Sequence, residues 1–145
     1  ESGKRGKWLY SLNIFTSLFS FKPTLTTIDI DGSNVISEKA LSINIGIGRY
    51  NGGGLMQVPH AVIDGGELAL TFIGDIGRLG IIRHSGKLKT GDIGKVQKVQ
   101  LLKGRNISIT SDRPMLFEAD GEALGTTPLT FEVVPKTLKV VSVNS

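Results

Sequence analysis

From Thr24 onward the chain reads as short runs in which apolar and polar residues alternate. "TLTTIDID" is β-branched and stops at Asp31-Gly32, a dipeptide suited to a tight hairpin turn. "ALSINIGIG" and "ELALTFIG" alternate in the same way and close on glycine. "KVQKVQLL", "NISIT", "MLFEAD", "LTFEVV" and "TLKVVSV" follow at close spacing with turn residues between them. Many short alternating strands separated by glycine and Asp-Gly turns predict a mainly β domain, an antiparallel β-sandwich. Two stretches break the rhythm. In "KWLYSLNIFTSLFSF", Lys7 to Phe21, Leu9, Leu12, Phe15 and Phe19 recur at helical spacing and stop before Pro23. That predicts an N-terminal helix with one apolar face, meant for the core rather than for a membrane surface. "DIGRLGIIRHSGKLKT", Asp75 to Thr90, is the least strand-like segment and predicts a short helix or a loop excursion.

Composition narrows the class. A chain of 145 residues with 39% hydrophobic and 21% charged positions is one domain's worth of soluble globular protein. There is no cysteine, so disulfides, thiolate metal clusters and a cysteine nucleophile are excluded. This fits a reducing cytoplasm. No apolar run approaches the ~20 residues of a membrane span, and the start "ESGKRGKWLY" lacks both a signal-peptide pattern and a Met. The chain is therefore expected to be cut from a longer protein.

The net charge of +4 is unevenly spread. Between Arg78 and Arg105, eight Lys or Arg face only Asp92, so that segment carries +7 and the remainder −3. Such a segment is either a solvated face or an attraction to phosphates and anionic bilayers. Nucleic acid is disfavoured, because no aromatics interleave the cations and no nucleic-acid-reading motif is present.

Candidate chemistry is sparse. No metal-ligand spacing, nucleophile elbow or phosphate loop occurs, and His60 and His84 are isolated, with His60 expected at the surface beside Pro59. Two turn-rich places remain. In "GRYNGGGLMQVPHAVIDGGELAL", three consecutive glycines are entropically costly. Either something approaches that backbone closely or the chain takes turns that a Cβ forbids. In "FEADGEALGTTPLTFEVVP", a turn explains Asp120-Gly121, but Glu122 is favoured neither in turns nor in strands. A carboxylate held there can act as a general base toward a hydroxyl if a phosphoryl donor is supplied nearby.

Together these two places resemble the C-terminal domain of the bacterial diacylglycerol kinase-like lipid kinases, a family that includes sphingosine and ceramide kinases. The matching residues are Gly52-Gly53-Gly54, Pro59, Ala61, Asp120-Gly121-Glu122, Pro128, Pro135 and Leu138, within Ile43 to Val143. The resemblance implies a two-domain cytoplasmic enzyme of phospholipid metabolism at the inner membrane surface. An N-terminal domain binds ATP through Gly-Gly-Asp-Gly-Thr, and a C-terminal β-sandwich closes the active site. This chain lacks Gly-Gly-Asp-Gly-Thr, so residues 1–145 are expected to be the sandwich half, inactive alone. The family's proton acceptor falls on Glu122. Gly52, Gly53, Gly54 and Asp120 fall at the substrate cleft, and the cofactors implied are Mg²⁺ and the co-substrate ATP. The family's Mg²⁺ loop falls on Val62, Asp64 and Glu67, but its second acid is replaced by Gly65. Implied partners are the lipid, an anionic membrane surface, the N-terminal kinase domain and a second copy of the chain as a homodimer. Two other readings stay open: a non-catalytic β domain that binds anionic lipid through Arg78 to Arg105, and a nicotinamide-nucleotide kinase sandwich.

Overall fold

The computed structural model describes residues 22–51 and 54–137. The expected helix over 7–21 lies outside the described residues, as do Gly52, Gly53 and most of "TLKVVSV".

Alternation decides the strands. In β1 (Thr24–Ile30), Thr26, Ile28 and Ile30 are buried while Leu25, Thr27 and Asp29 point to the other face. Asp31 and Gly32 both take positive φ, 55° and 66°, and turn the chain into β2 (Asn34–Gly46), antiparallel to β1. The second half of β2, from Ala40 on, pairs with β3 (Leu68–Gly74), with a register shift between Ala40 and Ser42. β3 pairs with β4 (Val99–Gly104), and β1 also pairs with β5 (Asn106–Ser111), which pairs with β8 (Leu129–Glu132). The six-stranded sheet runs β4-β3-β2-β1-β5-β8, and β6 (Leu116–Ala119) with β7 (Glu122–Thr126) makes a separate antiparallel hairpin. The architecture is mainly antiparallel β and sandwich-like, as the alternation predicts.

One connection shapes the sheet. Only Arg105 joins β4 to β5, although β3, β2 and β1 lie between them in strand order. A flat sheet cannot span that gap with one residue, so the sheet curls. The side of Ile28, Ile30, Ala40, Leu70, Phe72, Ile107 and Ile109 becomes the interior, where Leu102 from one edge strand and Phe131 from the other join the same cluster. At the closing corner the Asp31 carboxylate accepts backbone N–H bonds from Arg105 at 3.0 Å and Asn106 at 2.8 Å.

The outer face at β3 and β4 is covered by the excursion expected around 75–90. It contains α1 (Gly77–His84), α2 (Lys87–Thr90) and a 3₁₀ turn at Asp92–Lys95. Ile81 packs with Leu41 and Ile73, while Leu88, Ile93 and Val96 pack with Leu55. The strand expected from Lys95 therefore starts later, at Val99. Lys95 closes the 3₁₀ turn, Val96 is drawn into the helical layer, and Lys98 sits at φ 64°. Thr137, expected to open a last strand, is not in one.

Candidate functional site

The Asp120-Gly121-Glu122 segment is the tip of the β6–β7 hairpin. Asp120 and Gly121 take φ of 52° and 87°, the two positive angles that a two-residue turn between right-twisted strands needs. Glu122 does have a structural place: it opens β7, opposite Ala119. Cross-strand partners share a face, and Phe117 lies on that face, its ring against Phe131 of β8 at 5.4 Å and 70°. Glu122 thus sits on the side of the hairpin turned toward the main sheet, exposed, with no hydrogen bond or ion pair among the described residues. The base is fixed by Met115 N–H donating to Thr127 Oγ1 and Thr127 N–H to the Met115 carbonyl, both at 3.0 Å. A short hydroxyl contact between Ser111 and Thr127 adds to it. Five strand residues at about 3.4 Å each carry the tip roughly 17 Å from this base.

The glycine stretch resolves in part. Gly54 takes φ +77° and faces open space where a Cβ would stand, so its glycine serves the turn rather than a close approach. That turn is closed by Asn51 and Leu55, and Leu55 then anchors the segment under α2, where Met56 N–H donates to the Leu88 carbonyl. Close approach does occur at Gly91, where a Cβ would strike the Met56 sulfur.

The loop 62–67 is a tight surface turn. Gly65 N–H donates to the Val62 carbonyl at 3.0 Å, and a Cβ on Gly65 would stand 3.1 Å from that oxygen. Val62, Asp64 and Glu67 are exposed, and no group of three acids or histidines among the described residues converges as a metal site. The Val62 oxygen is already engaged and the acid position is a glycine, so this donor set is short of what a hard cation needs.

His60 is not the free surface residue expected. It is half-buried, and its Nε2 lies 2.8 Å from the Leu102 carbonyl on the outer edge of β4. An N–H there covers an otherwise unpaired edge. A cleft of about 280 Å³ is lined by Gly66, Arg105, Asn106, Glu132, Val133 and Pro135. It brings the loop 62–67 to the β4–β5 corner and the end of β8, whereas Asp120 and Glu122 do not line it. Arg105 and Glu132 carry no motif: the β3–β4 register, Leu68 opposite Gly104, brings Arg105 to the loop 62–67, and the β5–β8 register, Asn106 opposite Glu132, brings Glu132 to the same corner.

A curled antiparallel sheet with an outer helical layer and an acid-tipped hairpin defines a mainly β, sandwich-like class of domain. The chain belongs to a family within it: the model for the YegS C-terminal NAD kinase beta sandwich-like domain matches residues 2–142. A solved structure of a candidate diacylglycerol kinase from Bacillus anthracis str. Sterne is similar to it, with TM-score 0.68 and 23% identity, covering 83% of this chain and 42% of that one. Another, described as a diacylglycerol kinase from the same organism, gives TM-score 0.61 and 21% identity over 87% and 48%. At these identities the likeness establishes the fold. The chain spans less than half the length of these solved relatives. No curated protein matches it.

Proposed function

We propose that this chain is the C-terminal half of a two-domain lipid kinase that transfers the γ-phosphate of ATP to a lipid hydroxyl. The observation that carries the reading is Glu122: a free carboxylate at a hairpin tip, facing the sheet, in a chain of the diacylglycerol kinase-like family. Its carboxylate takes the proton from the lipid hydroxyl as that oxygen forms its bond to the γ-phosphorus and the bond to the leaving ADP breaks. ATP and its Mg²⁺ are assigned to the domain that precedes this chain. The chain supplies the base, with Asp120 and the glycines Gly52, Gly53 and Gly54 assigned to the lipid cleft. The reaction runs at the cytoplasmic face of the membrane.

The test is Glu122→Gln in the complete polypeptide, assayed for phosphate transfer from ATP to diacylglycerol. Loss of a positioned general base lowers the rate by about 10² to 10⁴-fold, with an unchanged melting curve. Transfer within a few-fold of the parent overturns the assignment. A second reading, a non-catalytic domain that binds anionic lipid, is favoured by the cations of α1 and α2. In that case Glu122→Gln changes nothing and charge reversal at Lys87, Lys89, Lys95 and Lys98 abolishes vesicle binding.

A further inference from the structure

α1 carries an apolar pair that packing does not explain. Leu79 is 83% exposed, the most exposed large apolar side chain among the described residues, and Ile82 is 57% exposed. Positions three and four apart share a helix face, so Arg78, Leu79, Ile82 and Arg83 stand together on the outside while Ile81 is buried against Leu41 and Ile73. The helix already has its core contact, and its outward face holds two large apolar side chains between two arginines. Lys87 and Lys89 follow on α2, and none of these four cations has a salt bridge among the described residues. Of the two acids that flank these helices, Asp92 is paired with Lys95 at 2.6 Å, and Asp75 Oδ1 accepts from the Gly77 N–H at 3.2 Å.

We infer that the outward face of α1 docks the domain on an anionic bilayer, with Leu79 and Ile82 entering the interface and Arg78, Arg83, Lys87 and Lys89 meeting lipid phosphates. An apolar stripe flanked by cations is what an interfacial helix presents. A protein partner is the poorer fit, because two side chains make a much smaller apolar patch than a stable interface requires. Cations alone would hold the domain above the headgroups. The apolar pair fixes which side of the domain faces the membrane and how deep it sits, which orients a lipid cleft toward its substrate. The inference rests on the lipid-kinase reading only for that purpose, not for the binding itself.

The complete polypeptide is sedimented with vesicles of phosphatidylcholine, with and without phosphatidylglycerol. The parent binds the anionic vesicles. Leu79→Ser with Ile82→Ser weakens that binding at least about tenfold, and Arg78→Glu with Arg83→Glu weakens it about fivefold or more per residue. A second measurement survives a folding defect in the serine variant. Leu79→Cys, in a polypeptide without other accessible thiols, is labelled with an environment-sensitive fluorophore. Its emission shifts to the blue on anionic vesicles and is quenched by brominated acyl chains. Serine variants that bind like the parent, or a label that stays water-exposed on bound protein, overturn the inference. A parent that ignores anionic vesicles also overturns it and leaves this face to a protein contact. Phosphate transfer from ATP to diacylglycerol is assayed alongside: a parent that transfers none removes the kinase reading without touching the vesicle result.

Discussion

Removing the Asp31 carboxylate should open the corner that curls the sheet. Asp31 holds a left-handed conformation, φ 55°, at the β1–β2 turn, and its side chain crosses to the β4–β5 junction. Oδ1 accepts from Arg105 N–H at 3.0 Å and from Asn106 N–H at 2.8 Å; Oδ2 lies 3.3 Å from the Arg105 nitrogen. Hydrogen bonds to a charged group contribute about 1.5–3 kcal/mol, and solvent at this exposed site puts the pair near the low end. Alanine also carries a strain of about 1–2 kcal/mol in the left-handed region, which glycine avoids. Asp31→Ala should therefore cost about 2–4 kcal/mol, a large part of a typical domain's stability. Asp31→Gly should cost about 1 kcal/mol less than that, because it loses the bonds but not the backbone geometry. Asp31→Asn, which keeps an acceptor and tolerates positive φ, should cost least. Equilibrium urea unfolding of the three variants reads the series directly. If alanine costs under about 0.5 kcal/mol, or if asparagine and alanine are equal, the carboxylate does not hold the corner and the curl has another cause.

Gly104→Ala should destabilise by about 1–3 kcal/mol in the same assay, because its Cβ would land on the Ile30 methyl and 3.0 Å from Asp31 Oδ2; a neutral result would mean the corner is loosely packed. Leu55→Ala should cost about 2–5 kcal/mol, since Leu55 is 2% exposed and ties the glycine turn to Leu88, Ile93 and Val96. Equal stability would show that the helical layer holds without that anchor. The Asp92 carboxyl is held below the ordinary carboxylate range, first by a hydrogen bond from Lys95, then by one from Thr90 and by the Lys95 charge. A lowered folded pKa stabilises above the unfolded value and is lost as pH falls through the folded one. In an NMR titration the Asp92 midpoint should rise in Lys95→Ala, and an unmoved midpoint refutes the assignment.

The strands were legible because one physical rule, alternation across a half-buried sheet, repeats in "TLTTIDI", "LALTFIG" and "NISIT" with little interference. Where several demands meet, sequence pattern gave way. "KVQKVQLL" alternates as well as any strand, yet the helical layer needs Val96 as core and takes it, pushing β4 to start at Val99. Glu122 was singled out by its residue type, and its face and strand partner emerged only from the register with Ala119. His60 looked isolated because its partner is a backbone carbonyl 42 positions away. The cleft at Arg105 and Glu132 has no sequence signature at all. It exists because the β3–β4 and β5–β8 registers bring positions far apart in sequence to the corner made by a one-residue link, and no local pattern encodes such a register.

That same link sets how the proposed catalytic and membrane-docking sites are divided within this domain. The helical layer is seated outside β3 and β4, at one edge of the sheet, while the Glu122 hairpin leaves from β5 and returns as β8, at the other. Their shared support is the interior cluster to which both edges contribute, through Leu102 and Phe131. Surface changes on α1 and at the hairpin tip should therefore act separately, on vesicle binding and on transfer. Loosening the interior, or the Asp31 corner that closes it, should disturb both at once. A variant such as Asp31→Ala is accordingly a control for the two surface experiments. If it impairs vesicle binding and transfer in proportion to its loss of folded protein, selective losses in the α1 and Glu122 variants are local. If it impairs only one of them, the curled sheet is not the common frame of the two sites.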